Sequence, residues 1–301
     1  MADYGRPLEF GLSLVPEADG HPELLRVAGL ADELGLDAVG VQDHPYQARY
    51  LETWTLLTAI ATRTSRISVF PDVINMRLRR AAVLAKAAAT LDLLSGGRVE
   101  LGLGAGGYGE AVVALGGPAL RTGQAIDALA EAIEVVRLMW SGRRGVRTEG
   151  RHHRLAGAST GPRPAHPIGI WLGAYRPRML ALTGRAADGW IPSAFRLPPA
   201  GLAEAAALID EAARAAGRDP GAIQRLYNIG GRITDGASAG FLDGPVEQWV
   251  ETLTGLSLEQ GMDTYVLWPD AEDVDTQLRR FALEVAPAVR EAVRRARAST
   301  K

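Results

Sequence analysis

The stretch AAVLAKAAATLDLLSGGRVELGLGAGGYG, Ala81 to Gly109, reads as a helix, a glycine turn, a strand and a glycine-rich loop in unbroken succession. Val83, Leu84, Ala87, Ala88, Leu91 and Leu94 recur at helical spacing, Ser95-Gly96-Gly97 stops the helix, and Val99 to Leu103 is an apolar run of strand length. The strand then enters Gly102, Gly104, Gly106, Gly107 and Gly109. Glycine lets backbone N–H groups approach an anionic or planar ligand without intervening side chains, so the loop reads either as a cofactor cradle or as an ordinary tight turn.

Working outward, the same unit repeats. Strand-like runs fall at Glu9–Val15, Ala38–Gln42, Ile67–Val73, Val99–Leu103, Ile168–Leu172, Gly189–Pro192, Arg225–Ile229 and Thr264–Trp268. Amphipathic stretches alternate with them at Pro22–Leu34, Glu52–Thr62, Arg80–Leu94, Thr122–Met139, Pro177–Ala187, Leu202–Ala216, Pro245–Gln260 and Asp273–Val293. Parallel strands need crossover helices, and eight such units close into a barrel. The expectation is an α/β fold, a single (β/α)8 TIM barrel over residues 1–301, with a short insertion at about 140–167 after the fourth βα unit. There VRTEGRHHRL reads as a hairpin and AGASTGPRPAHP as a proline-rich loop, placed to cover the C-terminal face.

The composition narrows the chemistry. With 33 basic against 35 acidic residues the chain carries no electrostatic footprint for nucleic acid or an anionic membrane, which leaves a small-molecule partner. No apolar run approaches the ~18 residues of a membrane span, and MADYGRPLEF lacks an apolar leader, so a cytoplasmic location is expected. The absence of cysteine excludes disulfides, thiolate nucleophiles and cysteine-ligated metals.

In a barrel the site gathers where strands end. The second strand ends at Asp43-His44-Pro45-Tyr46, the third at Phe70–Asn75, the fourth in the glycine loop and the fifth at Gly173-Ala174-Tyr175. Histidine titrates near neutrality, and an adjacent carboxylate adjusts its pKa, so His44 with Asp43 reads either as a catalytic pair or as a structural hydrogen-bonding residue. Pro177 opens a helix directly after Arg176. Its first N–H groups, with Arg176 and Arg178, suit a phosphate.

VQDHPY after the second strand, the central AAVLAKAAATLDLLSGGRVELGLGAG, and IWLGAYRPRMLALTGRAADGWIPS together resemble the luciferase-like superfamily of flavin- and deazaflavin-dependent oxidoreductases, from Phe10 to about Leu267. The resemblance implies a barrel that binds FMN or coenzyme F420 at the strand ends and transfers hydride to or from a small organic substrate, with oxygen activation in some members. It places Asp43 and His44 beside the ring as the catalytic pair. It also implies a bulge with a non-prolyl cis peptide behind the ring at Pro71, Asp72, Val73 and Asn75. Pro71 stands where small residues are common, so either Phe70–Pro71 or a following bond is the cis one. The loop Gly104, Ala105, Gly106 and Gly107 and the segment Gly173, Ala174, Tyr175, Arg176, Pro177 and Arg178 complete the cofactor site. The PRML start is closer to deazaflavin members, which leans the cofactor towards F420, yet the glutamate that some deazaflavin dehydrogenases carry in the glycine loop is absent, with Gly107 about there. Tyr46, Trp54, Tyr108, Trp190 and Phe195 are candidate walls, and the helical face Thr122–Met139 is the expected homodimer contact by family analogy.

Three rivals remain on the sequence. Gly102–Gly107 satisfies GxGxxG, the mark of an NAD(P)-dependent Rossmann dehydrogenase, but Gly104–Gly109 satisfies it too, and no strand ending in an acid follows at the required ~20 residues. A barrel metal hydrolase would need His44, His152, His153 and His166 to converge, whereas His152 and His153 on a hairpin strand point to opposite faces. No metal site is expected. A barrel that binds a flavin without turnover is the third.

Overall fold

β1 (Glu9–Leu14) is buried at five of its six positions, as a barrel strand covered on both faces must be. The computed structural model describes residues 3–269 and 272–299. From β1 the chain continues through α1 (His21–Glu33), β2 (Ala38–Val41), α2 (Thr53–Ala61), β3 (Ser68–Pro71), β4 (Ile74–Asn75), α3 (Ala81–Ser95), β5 (Leu101–Gly104), α4 (Gly109–Ala114) and α5 (Thr122–Met139). A hairpin, β6 (Val146–Glu149) and β7 (Arg154–Ala158), precedes β8 (Ile170–Leu172), α6 (Pro177–Ala186), β9 (Gly189–Trp190), α7 (Leu202–Ala215) and β10 (Gln224–Gly230). A short pair, β11 (Arg232–Ile233) and β12 (Asp243–Gly244), leads to α8 (Val246–Gln260), β13 (Thr264–Trp268), α9 (Val274–Arg280) and, after one π turn, α10 (Ala286–Ser299).

The main sheet is parallel throughout, in the order β3-β2-β1-β13-β10-β9-β8-β5-β4. β3 and β4 are the two halves of one barrel strand: β3 pairs with β2 and β4 with β5. Val69 N–H donates to Arg98 O at 2.8 Å and Glu100 N–H to Val69 O at 3.1 Å, which closes the ring. The eight-fold α/β barrel read from the alternation is therefore the fold. The third strand, expected as one run over Ile67–Val73, is broken at Asp72–Val73, the cis peptide; Phe70–Pro71 is not cis.

Most apolar side chains pack between sheet and helices. Inside the barrel a smaller set, Phe70, Trp171, Ile191, Leu226 and Val266, forms a plug, with Phe70 and Trp171 edge to face at 5.0 Å. The site stands on that plug.

The hairpin packs against α5. It joins the end of α5 to the start of β8, and its tip is tied to the side of α5, where Glu131 accepts from the N–H groups of Arg151, His152 and His153 at 3.0, 2.6 and 2.9 Å. The following loop is pinned by Asp92, which accepts from Ala165 N and His166 N at 2.7 and 3.1 Å. Directly after the glycine loop the chain forms α4 before it reaches α5. Among the described residues no helix is long and apolar enough to cross a membrane.

Candidate active site

Above the plug, polar side chains from five strand ends meet. Asp72, after β3, accepts from Asn228 Nδ2 on β10 at 2.8 Å and from Ser13 Oγ on β1 at 3.5 Å. Ser193 joins through Asn228 at 3.3 Å, and Tyr175 OH donates to Ser193 Oγ at 3.3 Å while accepting from Ser193 N at 3.1 Å. Burial pushes the Asp72 carboxyl up to about 6, against the hydrogen bonds from Asn228 and Ser13. Asn228 Oδ1 is buried without a partner, an acceptor left over after the network is formed.

This floor opens into a cavity of about 590 Å³, within the usual range of small-molecule sites. Of the residues anticipated from sequence, Asp43, His44, Asp72, Val73, Asn75, Gly104, Ala105, Gly106, Gly107, Gly173, Tyr175 and Arg176 line it. Tyr46, Tyr108 and Phe195 line it as well. Pro71, Ala174, Pro177 and Arg178 do not. Pro71 is buried below the bulge. Ala174 is fully buried and its carbonyl accepts from Trp190 Nε1 at 2.9 Å, which makes Trp190 core rather than wall. Arg178 turns outward to Asp127 of α5 at 2.9 Å. Trp54 packs beside α3, away from the cavity.

Asp43 and His44 are adjacent in sequence and make different contacts. Asp43 is buried, accepts from Asn75 N at 2.8 Å and from Arg79 Nη2 at 2.7 Å, and so clamps the end of β2 to the turn after β4. Burial pushes its carboxyl above the usual range while Arg79 and the Asn75 N–H oppose the rise. His44 is half-buried, with Nδ1 2.6 Å from Tyr46 OH and Tyr108 edge-on at 5.9 Å. Burial holds His44 below its ordinary value: the Asp43 charge pulls the other way, as anticipated, but desolvation outweighs it and Arg196 adds to it.

The glycine loop divides in two. A Cβ on Gly102 would stand 2.1 Å from Pro71 O, one on Gly104 2.9 Å from Val73 Cγ2, and one on Gly106, at φ +83, 2.5 Å from Asn75 Oδ1. These glycines make room for the broken third strand, and Gly104 and Gly106 line the cavity as well. Gly107 alone of the loop lining the cavity has open space where its Cβ would be.

Sequence reading missed Asn228, Ser193, Arg77, Arg196 and Trp268, all of which line the cavity. Asn228 carried a signal, a polar residue inside the apolar run RLYNIG. The four histidines do not converge: His44 is at the rim, His166 is held by Asp92 at 2.8 Å below, and His152 and His153 lie in the hairpin turn, both facing one side cavity instead of opposite faces.

The shape and the sequence each have known counterparts. An F420-dependent secondary alcohol dehydrogenase in complex with an F420-acetone adduct superposes with a TM-score of 0.83 at 20% identity, over 94% of this chain and 99% of that one. The F420-dependent tetrahydromethanopterin reductase from Methanopyrus kandleri gives 0.81 at 20%, over 94% and 99%. In sequence, an F420-dependent glucose-6-phosphate dehydrogenase of Kineococcus radiotolerans is 32% identical over 235 residues, 75% of this chain and 68% of that protein. The enzyme of the same name from Nocardia farcinica is 32% identical over 231 residues, 74% and 68%. The model of the family described as luciferase-like monooxygenase matches residues 8–232. The match over three quarters of its length, together with the closed parallel barrel, shows that the chain belongs to that luciferase-like family of flavin- and deazaflavin-dependent oxidoreductases.

Proposed function

We propose that the chain is an F420-dependent oxidoreductase that exchanges hydride between the deazaflavin and a small organic substrate at the barrel rim. The observation that carries this is the meeting of the Asp72–Asn75 bulge, the Gly104–Gly107 loop and Arg176 in one cavity. The names of the Kineococcus and Nocardia relatives favour F420 over FMN. The lining fits such a group: Val73, Ile191 and Met179 offer apolar contact to a planar ring, Asn228 Oδ1 is an unpaired acceptor for its polar edge, and Arg176 stands where α6 begins, ready for an anion. When bound, a reduced deazaflavin supplies a hydride donor, and a reduced FMN in its place would also open reaction with oxygen.

The chain's own part is orientation and proton handling. Asp43 and Arg79 fix the backbone that presents His44, and Tyr46 occupies His44 Nδ1, leaving Nε2 to exchange a proton with a substrate hydroxyl. The same reading has the protein working in the cytoplasm as a homodimer. The supporting face is α3, where Val83 and Leu94 are 68% and 76% exposed, and not α5, whose outward positions Gln124, Asp127, Glu134 and Arg137 are polar.

Fluorescence titration of the purified protein with F420 and with FMN tests the cofactor; F420 is expected to bind more tightly, and binding of neither, with tight NAD binding instead, overturns the reading. The pH profile tests His44. Burial holds its pKa below the ordinary histidine value, so the neutral ring is the working form and kcat/KM falls on the acid side, as the ring protonates. His44→Gln is expected to abolish this acid limb and to lower kcat by about 100-fold; an unchanged limb in that variant assigns the proton step to another group.

A further inference from the structure

A second cavity, of about 550 Å³, lies beside the main one, between the turn Met76–Arg80, the segment Leu115–Leu120, the first half of α5 and the hairpin tip. The two share Arg77, Ala105, Leu120 and Ala125 in their walls. The charged lining of the second cavity is of one sign, Arg77, Arg79, Arg80 and Arg151 with no carboxylate, and the rings of His152 and His153 stand beside them.

Composition does not account for this, since the whole chain carries a net charge of −2. The neighbouring carboxylates are already engaged. Asp43 and Glu52 each hold Arg79 Nη2 at 2.7 Å, and Glu131 is bound by the three N–H groups of the hairpin tip. Arg77 donates only to the carbonyl oxygens of Gly106 and Pro118, and its Nε, like that of Arg79, is buried without a partner. Arg80 and Arg151 are exposed, and neither side chain has a carboxylate partner among the described residues. Arg80 is also the N-cap of α3, which has neither a side-chain cap nor an acid in its first turn, so it sits on the positive end of a helix dipole.

We propose that this side cavity binds a compact polyanion, a phosphate group or clustered carboxylates. The chemistry selects that class. Uncompensated guanidinium groups around a concave wall raise the local potential and match the oxygens of phosphate or carboxylate in bidentate fashion, whereas a neutral ligand would leave the charge unanswered. Because the cavities share a wall, the anion is either the charged arm of a molecule whose ring lies in the main cavity or a separate phosphate-bearing molecule. The two sources use the same residues.

The experiment is calorimetric titration of the full chain with pyrophosphate at low salt, for the native protein and for Arg80→Ala/Arg151→Ala, two exposed positions outside the main cavity. Saturable binding that weakens with added salt and falls at least tenfold in the double variant is expected, with an unaltered thermal transition and with Arg63→Ala/Arg185→Ala, far from the cavity, binding as the native protein does. No saturable binding to the native protein, or equal binding to the double variant, overturns the proposal. F420 and its ring system without the phosphate-bearing tail are then titrated by fluorescence. Loss of F420 affinity alone in the double variant assigns the anion to the tail, and unchanged F420 affinity alongside lost pyrophosphate binding assigns it to a separate molecule. The pyrophosphate readout needs no turnover, so it stands if the cofactor assignment fails.

Discussion

The rim of the barrel has two unlike arcs. Behind the third, fourth and fifth strands the long helices α3, α5 and α6 begin at Arg80, Arg121 and Arg176, and none has an acid in its first turn; the one-and-a-half-turn α4, with Glu110, is the exception there. Around the rest of the rim α1, α2, α7 and α8 begin with Glu23, Glu52, Glu204 and Glu247. Acids at a helix start are favoured by the dipole by about 0.3–1 kcal/mol and arginines are disfavoured by a similar amount, so the first arc gives up stability that the second keeps. Backbone crowding does not follow this division: a Cβ on Gly102, on the first arc, would stand 2.1 Å from Pro71 O, and one on Gly231, after β10 on the second, 2.0 Å from Leu242 O. The charge at the helix starts is what sets the side where the glycine loop and the bulge face the cavity apart from the rest of the rim.

The largest expected effect is steric and tests the close approach at the bulge. Gly102→Ala places a methyl 2.1 Å from a backbone oxygen that cannot move without displacing the bulge, and a loss of about 3 kcal/mol in denaturant unfolding is expected. Gly230→Ala meets nothing within 4 Å and is expected to leave the midpoint nearly unchanged. Equal losses would mean that the approach of Gly102 to Pro71 O is not what the first variant disturbs. The next difference is electrostatic. Arg176→Glu removes a charge-assisted contact of about 2–3 kcal/mol and is expected to weaken F420 binding about 30- to 100-fold. Glu204→Arg, the mirror change on the second arc, is expected to alter it less than about twofold, since Glu204 is exposed to solvent and does not line the cavity. A comparable loss from Glu204→Arg would put the anion on the wrong side.

Much of this was legible in residue order. The alternation of apolar runs with 3.6-periodic stretches fixed strand and helix identity, and the chain itself set their sequence around the ring. The bulge in the third strand was legible through the resemblance, but FPDVIN alone does not single out Asp72–Val73 as the cis bond, and the pairing of β3 with β2 and of β4 with β5 is a tertiary outcome. The glycines announced that something comes close without saying what; for Gly102, Gly104 and Gly106 it is the protein itself. Asp43 looked like the partner of His44 because the two are neighbours in the chain, yet successive residues at a strand end diverge, and Asp43 meets Arg79 instead. The basic run at Arg77, Arg79 and Arg80 was visible, but which carboxylates would neutralise it depends on elements far away in sequence, and among the described residues only Arg79 finds any.

The smallest expected effect bears most directly on why the arcs differ. Arg121 is the N-cap of α5, a position where aspartate supplies the side-chain acceptor that arginine lacks; here only the Arg121 N–H is satisfied, by Gln124 Oε1 at 3.0 Å. Arg121→Asp adds a cap and reverses an unfavourable charge on the dipole, so the protein should become more stable by about 1 kcal/mol and melt about 2 °C higher. The reverse change on the other arc, Glu247→Arg in the first turn of α8, should lower the transition by a fraction of that. A fall in Tm for Arg121→Asp would show that the cationic helix starts are stabilised by contacts within the fold. A rise would mean that the first arc carries its positive charge against the preference of its own helices, which is what an anion-binding rim requires and what folding alone does not.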